Sequence, residues 1–294
     1  MTEPRLHHVQ CLDNRGLHRM AYWEWGDAHN PQVLVCVHAL TRQGRDFDAL
    51  ARDLAGSYRV VCPDVVGRGR SDRLADPMGY AIPAYVADMV TLLARLDAET
   101  VDWVGTSMGG LIGLGLASLP SAAGSPVRKL VLNDVGPTIQ PASLQRIGTY
   151  LGAPAHWQTL DEAADALWAI SQSFGPHTRE QWLAMTAPQI VPDTERGSGF
   201  KPHYDPAIAV PFRAITPEIA AAGEAMLWQS YERLAIPTLL LRGADSDLLS
   251  HDTALAMTQR GPRAQLVEFA GVGHAPTLQA EDQRAAVRRF LLGP

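Results

Sequence analysis

The chain has 294 residues, of which 46% are hydrophobic and 19% are charged, and its formal net charge is −6 at pH 7. This length suits one large α/β domain with an insertion, or two small domains. The basic residues are scattered, and the pairs Arg68/Arg70 and Arg288/Arg289 are too short to follow a phosphate backbone. Nucleic acid is therefore not expected as a partner.

The start of the chain carries Glu3, Arg5 and two histidines where a signal peptide would have an apolar core. No segment approaches the roughly 20 consecutive apolar residues of a membrane span. We therefore expect no membrane association and a cytoplasmic location. The cysteines fall one per predicted strand without C-x-x-C spacing, which predicts buried free thiols at Cys11, Cys36 and Cys62.

The pattern of apolar residues predicts eight main strands. Strands at 6–12 and 18–25 flank a turn and form a hairpin. Further strands are predicted at 33–37, 59–62, 100–104, 129–132, 238–241 and 265–269, with helices at 45–54, 80–96 and 281–292. Continuous apolar strands separated by amphipathic helices predict a mostly parallel sheet that is flanked by helices on both faces.

The alternation of strands and helices breaks once, between residues 136 and 232. We interpret 136–232 as a mostly helical cap, inserted after the sixth strand into a core domain formed by 1–135 and 233–294. Four tryptophans lie in this insertion, where they either line an apolar substrate pocket or hold a small helical unit together: Trp157, Trp168, Trp182 and Trp228.

A G-x-S-x-G motif centred on Ser107 lies between the predicted strand at 100–104 and a helical run from Gly110 to Leu119. A serine at such a corner is held on a sharp turn that exposes its hydroxyl, and the flanking glycines leave room for the strained backbone. The N–H groups of the following helix point at the same place and stabilise negative charge. This arrangement is typical of a serine nucleophile.

Four motifs together make the chain resemble the α/β-hydrolase fold family over nearly its whole length. They are 38–40 after the third strand, 64–72 after the fourth, the motif around Ser107, and 271–276 after the last strand. The resemblance implies an α/β-hydrolase fold and a catalytic triad in the order serine, acid, histidine. It places the nucleophile at Ser107 and the base at His274, which follows the last strand.

Two positions compete for the acid of the triad. Asp247 follows the seventh predicted strand, the commonest family position, but its spacing from Gly243 is displaced by one residue. Asp134 ends the sixth strand, where some branches of the family keep the acid. We rank Asp247 first, Asp134 as the alternative acid and Asp245 last, and expect whichever carboxylates are not the acid to be structural.

The resemblance also implies an oxyanion hole formed by the backbone N–H groups of Leu40 and Met108. We interpret His38 as a structural residue that shapes the loop carrying Leu40. The G-x-G segment at 67–72 lacks the lysine of a phosphate-binding loop and predicts a structural turn near the site. The cap histidines at 156, 177 and 203 are expected at the surface.

These features predict a serine carboxylesterase that acts on small or medium acyl esters and needs neither cofactor nor metal. Two alternatives use the same triad: hydrolysis of a carbon–carbon bond in a ring-cleavage diketone, and cofactor-free perhydrolysis. A non-catalytic ligand-binding protein of the same fold is disfavoured because serine, acid and histidine are all present. Serine in place of aspartate at position 107 argues against a haloalkane dehalogenase or an epoxide hydrolase.

Overall fold

The computed structural model describes residues 3–122 and 124–293. The strands are β1 (Arg5–Asp13), β2 (Gly16–Trp25), β3 (Val33–Val37), β4 (Arg59–Pro63), β5 (Val101–Thr106), β6 (Val127–Asn133), β7 (Ile190–Pro192), β8 (Phe200–Pro202), β9 (Thr238–Gly243) and β10 (Gln265–Phe269). The positions at 1, 2 and 294, where we placed the ends of the core domain, lie outside the described residues.

The α-helices are α1 (Asp48–Leu54), α2 (Ile82–Leu96), α3 (Met108–Ala117), α4 (Pro141–Tyr150), α5 (Leu160–Ala169), α6 (Arg179–Thr186), α7 (Ala209–Arg213), α8 (Pro217–Glu232), α9 (His251–Gln259) and α10 (Glu281–Leu292). Short 3-10 helices occur at Gly44–Phe47, Pro77–Gly79, Gln172–Phe174, Ala187–Gln189 and Pro206–Ile208.

The central sheet has eight strands in the order β1-β2-β4-β3-β5-β6-β9-β10. Strands β1 and β2 form the expected antiparallel hairpin, β2 pairs antiparallel with β4, and the other pairs are parallel. The carboxyl ends of β3, β5, β6 and β9 therefore meet at one edge of the sheet. The candidate catalytic residues predicted from the sequence lie in or next to the loops at this edge of the sheet.

Alternate residues of each central strand enter two separate apolar cores. In β3, Val35 packs with α2 and α3 on one face, whereas Leu34 packs with α1 and α10 on the other. Both side chains are fully buried. A strand that is buried on both faces needs a continuous apolar run, which explains the sequence pattern that predicted this mostly parallel, helix-flanked sheet.

The segment 136–232 contains α4 to α8 and the small hairpin of β7 and β8. Trp182 and its neighbour Trp168 form a cluster of their own with ring centroids 5.0 Å apart. Trp228 lies on α8 and packs against the main core, and Tyr231 of the same helix is fully buried there. The boundaries of the cap stay a prediction, and α8 joins the main core together with Ile147 of α4 and Ala209 of α7.

Two other expectations concern the cysteines and the membrane. Cys11, Cys36 and Cys62 are buried free thiols, as predicted. Among the helices within residues 3–122 and 124–293, none combines the length and apolar character that crossing a membrane requires.

The close contact between α3 and the sheet generates a stability prediction. A Cβ added at Gly109 would lie 2.0 Å from the carbonyl oxygen of Val37, so Gly109→Ala should lower the free energy of unfolding by about 2 kcal/mol or more. Gly223→Ala in α8 is the matched control, because a Cβ there meets no atom within 4 Å. It should raise stability by about 0.5–1 kcal/mol. Urea denaturation of both variants checks this, and equal effects would contradict it.

Candidate active site

Ser107 occupies the sharp turn between β5 and α3, with φ of 51° and ψ of −115°. Its N–H donates to the carbonyl of Asn133 at 2.9 Å, which joins the turn to the end of β6. The left-handed φ is strained for a residue with a side chain. The turn closes only because Gly105 has no Cβ, since a Cβ there would lie 2.2 Å from the carbonyl oxygen of Gly109.

The structure brings the side chains of Ser107, His274 and Asp134 together. His274 Nε2 lies 3.0 Å from Ser107 Oγ, and His274 Nδ1 lies 2.7 Å from Asp134 Oδ2. Because the carboxylate can only accept, Nδ1 carries the proton and Nε2 is free to accept the serine hydroxyl proton. The arrangement is that of a nucleophile, a base and an orienting acid.

Asp134 holds its position through contacts with the loop that follows β9. Its Oδ1 accepts from the N–H of Gly243 at 3.0 Å, and its Oδ2 accepts from Ser246 Oγ at 2.6 Å. The residue has a φ of 56° and its side chain is fully buried. Neutral polar donors therefore surround the carboxylate, and this fixes the oxygen that faces His274.

The first-ranked acid, Asp247, is not in contact with His274, and that expectation is corrected by the geometry. Asp247 is exposed and forms a two-point ion pair with Arg146 at 2.7 and 3.0 Å. Asp245 is exposed as well. The reason is the one-residue displacement already visible in the sequence: Ser246 stands at the inner position of the loop, and its hydroxyl donates to Asp134.

The loop after β3 carries Leu40, the other expected oxyanion donor besides Met108. In the described part of the chain, the N–H groups of Leu40 and Met108 donate to no protein acceptor. Both residues lie beside Ser107, Leu40 in the cavity lining and Met108 at the start of α3. These two N–H groups are therefore available to a ligand at the site.

His38 is fully buried behind this loop, and it is structural as expected. Its Nδ1 donates to the carbonyl of Ala39 at 2.8 Å, and its Nε2 accepts from the N–H of Val65 at 2.9 Å. Burial holds the pKa of His38 well below its usual value, so the ring is neutral.

The segment 64–72 forms a structural turn beside the site, as predicted. Arg68 within it is 1% exposed, and its guanidinium bonds the carbonyl of Leu40 at 2.9 Å and contacts Met108 Sδ at 3.5 Å. It also donates to Tyr85 Oη at 2.9 Å. Across residues 3–122 and 124–293 no carboxylate lies within 4.0 Å of this buried cation. The burial of Arg68 could not be predicted from the sequence, because an arginine in a turn near another arginine carries no local signal of burial.

All three cap histidines also differ from expectation, since none is exposed; His156 is partly buried and lies 3.0 Å from Asp193 Oδ2. His203 is 5% exposed, and its ring accepts from the N–H of Gly69 at 2.7 Å and donates to the carbonyl of Thr41 at 3.0 Å. His177 is partly buried and bonds Thr277, close to the loop of His274. Their prediction as surface residues was wrong, because a cap that covers a cavity also packs against the loops below it.

A cavity of about 340 Å³ opens at Ser107 and His274. Its volume is at the lower end of the range of small-molecule pockets. The apolar part of the lining comes mainly from the insertion: Ile147, Trp157, Leu167, Ile170, Phe174 and Met185. Of the four tryptophans, Trp157 lies in this lining.

A second polar cluster lies away from the cavity, between the first hairpin and α2. Cys11, His18 and Asp88 are buried, and their potential ligand atoms lie within 4.8 Å of one another. His18 Nε2 lies 3.0 Å from Asp88, and burial with the nearby carboxylate raises the pKa of the Cys11 thiol to about 12. The imidazole and the carboxylate are paired and join the hairpin to α2, whereas His18 Nδ1 is buried without a hydrogen-bond partner among the described residues.

Comparison with known proteins identifies the class. The sequence matches the family described as "alpha/beta hydrolase fold" over residues 32–281. The chain therefore belongs to this family and is a hydrolase of the α/β fold. It is 56% identical to a 3-hydroxybutyrate-oligomer hydrolase of Cupriavidus necator, with 99% of each chain covered.

More distant proteins give the same fold. The chain is 28% identical to a 2-hydroxymuconate semialdehyde hydrolase of a Pseudomonas species, over 76% of this chain and 72% of that protein. Among solved structures, an alpha/beta hydrolase from Novosphingobium aromaticivorans superposes with a TM-score of 0.84 at 37% identity and covers 99% of both chains. The fold expected from the sequence is confirmed.

The neutral state of His203 generates a prediction for stability against pH. Burial, with Arg42, Arg68 and Arg73 nearby, lowers its pKa from 6.5 to about 3. Between these values the unfolded chain binds a proton that the folded chain does not, so acidification favours unfolding. From pH 8 to pH 4, His203 should cost the native state about 3 kcal/mol, an order-of-magnitude figure.

His203→Gln removes this titration while keeping an acceptor and a donor in the side chain. The unfolding free energy of the native protein should therefore fall more steeply between pH 8 and pH 4 than that of the variant, as measured by denaturant titration at each pH. Parallel curves would mean that His203 binds its proton equally well in the folded and the unfolded chain, which would contradict the lowered pKa.

Proposed function

We propose that this protein is a serine hydrolase that cleaves the ester bonds of short 3-hydroxyacyl oligomers. The observation that carries the proposal is the contact of His274 with Ser107 on one ring nitrogen and with Asp134 on the other, at the floor of the cavity. The similarity to the 3-hydroxybutyrate-oligomer hydrolase supports the choice of substrate.

In the first half of the reaction, Ser107 Oγ attacks the ester carbonyl carbon while its proton passes to His274 Nε2. The carbonyl oxygen becomes an oxyanion, which accepts from the N–H groups of Leu40 and Met108. Collapse of this intermediate breaks the ester bond, and His274 returns the proton to the departing hydroxyacyl oxygen. The acyl group stays on Ser107.

In the second half, water attacks the acyl carbon while His274 takes a proton from it. Collapse of the second intermediate breaks the bond to Ser107 Oγ, which recovers the proton from His274, and the acid is released. Asp134 keeps the proton on Nδ1 and stabilises the imidazolium that forms in each half. The carboxylate is fully buried and accepts from Gly243 and Ser246, so it is held in one orientation. A base that is held in the correct orientation raises kcat, because the proton acceptor already lies beside Ser107 Oγ.

The shape of the cavity agrees with a short apolar acyl chain. Its lining is largely apolar, and its permanently charged side chains are those of Arg42, Asp46 and Arg146. Each arginine already has a carboxylate partner, Asp46 and Asp247 respectively. The pocket therefore carries little unpaired charge, which suits esters with methyl-branched chains.

Carbon–carbon bond hydrolysis is the second candidate, because the chain is also similar to a 2-hydroxymuconate semialdehyde hydrolase. Purified enzyme should release 3-hydroxybutyrate from the dimer and trimer, measured by chromatography, at rates well above any turnover of a ring-cleavage diketone. Ser107→Ala is the control and should lower kcat by about 10⁴-fold or more. Turnover of the diketone alone would replace the ester proposal.

The two candidate acids give a paired test of the mechanism. Asp134→Asn should lower kcat by about 10³- to 10⁴-fold with little change in KM, because the amide favours the wrong tautomer of His274. Asp247→Asn is the matched control and should keep kcat within about threefold, since exposed ion pairs contribute little. Steady-state kinetics with p-nitrophenyl butyrate checks both variants. A greater loss of kcat in Asp247→Asn would assign the acid to the loop after β9.

A further inference from the structure

Each carbonyl of the segment Ala39–Thr41 accepts a hydrogen bond from a buried side chain. In chain order the donors are His38 Nδ1 at 2.8 Å, Arg68 Nε at 2.9 Å and His203 Nε2 at 3.0 Å. The first of these carbonyls belongs to the same peptide group as the N–H of Leu40. Because a peptide group is planar, the bond from His38 to this carbonyl sets the direction of the Leu40 N–H, and the bonds to the next two carbonyls hold the peptide groups that follow it.

His203 differs from the other two donors because the cap insertion supplies it. It directly follows β8, and its own N–H donates to the carbonyl of Gln189 at 3.1 Å, which holds it to the cap hairpin. Its Nδ1 accepts from the N–H of Gly69, the residue after Arg68. One imidazole therefore joins the cap, the loop after β3 and the turn that carries Arg68.

The two hydrogen bonds of His203 are compatible with a single charge state and a single tautomer of its ring. A neutral imidazole has one donor and one acceptor, and here Gly69 takes the acceptor and Thr41 the donor. A protonated ring would lose the bond from Gly69 and would add a second buried cation near Arg68. Arg68 in turn contacts both expected oxyanion residues, Leu40 through its carbonyl and Met108 through its sulfur.

We propose that His203 is a positioning residue of the oxyanion hole, through which the cap fixes the orientation of the Leu40 N–H donor. The inference rests on the proposed function, since it assumes that Leu40 binds an oxyanion. His203 does not touch substrate; it acts through the Thr41 carbonyl and the turn at Gly69. Its neighbours Pro202 and Tyr204 line the cavity, so the same segment shapes the acyl site and orients the oxyanion loop.

The test compares three enzymes with p-nitrophenyl butyrate as substrate. His203→Phe keeps a planar ring but removes both hydrogen bonds, and should lower kcat by about 10- to 100-fold with KM nearly unchanged. It should weaken inhibition by a trifluoromethyl ketone by a similar factor, because the adduct of this inhibitor with Ser107 places its oxygen in the oxyanion hole. His203→Gln, which keeps a donor and an acceptor, should restore most of both losses.

A matched control separates positioning from general loss of stability. Tyr58→Phe removes a buried bond to Asp102 at the opposite end of β5, so it should lower the melting temperature and leave kcat and inhibitor affinity unchanged. If His203→Phe does not fold, His203→Asn replaces it. The shorter side chain keeps an acceptor for Gly69 but does not reach Thr41, and it should also lower kcat.

Three results would overturn the inference. The first is an unchanged kcat in His203→Phe, or in His203→Asn where that variant replaces it. The second is a rise in KM without loss of kcat, and the third is an equal loss of kcat in Tyr58→Phe. The proposed function fails separately, if the native enzyme hydrolyses p-nitrophenyl butyrate but releases nothing from 3-hydroxybutyrate oligomers. In that case the His203 comparison still decides the positioning role, because it uses the simple ester.

Discussion

The contact between α3 and the end of the sheet is the constraint on which the site depends. The glycines at 105 and 109 let the first turn of this helix lie directly against β3 and β5, where a Cβ at either position would meet backbone atoms at about 2 Å. This contact forces Ser107 into a left-handed conformation at the tip of β5. The strain is kept because the surrounding backbone bonds over-determine the turn.

The position of Ser107 then determines which neighbouring strands can contribute to the site. In the sheet, β5 lies between β3 and β6, and β9 lies beyond β6. The loop after β3 brings Leu40 to one side of the serine, and the end of β6 brings Asp134 to the other. His274, from the loop after β10, lies between Ser107 and Asp134. Strand order therefore explains why residues far apart in sequence meet within hydrogen-bond distance.

Buried polar groups behind the site hold these loops in one arrangement. Arg68 is a buried cation that has no carboxylate partner among the described residues, and it contacts carbonyl oxygens, a tyrosine hydroxyl and the faces of Tyr80 and Tyr85. Burying a cation is unfavourable unless such partners exist. These partners offset the free energy of burying the cation, and through the bond to the Leu40 carbonyl Arg68 also holds the loop that carries Leu40. The cap contributes to the same network through His203.

The sequence by itself determined the fold class and the strands of the main sheet, and it singled out Ser107 and His274 as a candidate pair. The apolar runs predicted the strands of the main sheet, because a strand buried on both faces leaves little choice of residue. The motif around Ser107 and the place of His274 after the last strand predicted which side chains meet. Glycines and the periodicity of apolar residues affect the backbone near them, so their consequences can be predicted from the sequence alone.

Only the tertiary structure decided which carboxylate faces His274, where the cap histidines lie and what Arg68 contacts. Asp134 and Asp247 follow adjacent strands, so both lie at the same sheet edge, and a shift of one residue in the loop after β9 turned Ser246 inward and Asp247 outward. Burial of Arg68 and His203 depends on the cap and the loop after β3 packing together. Neither segment carries a local pattern for such contacts, because the bonds of His203 join residues 134 and 162 positions apart, and those of Arg68 to Leu40 and Met108 join residues 28 and 40 positions apart.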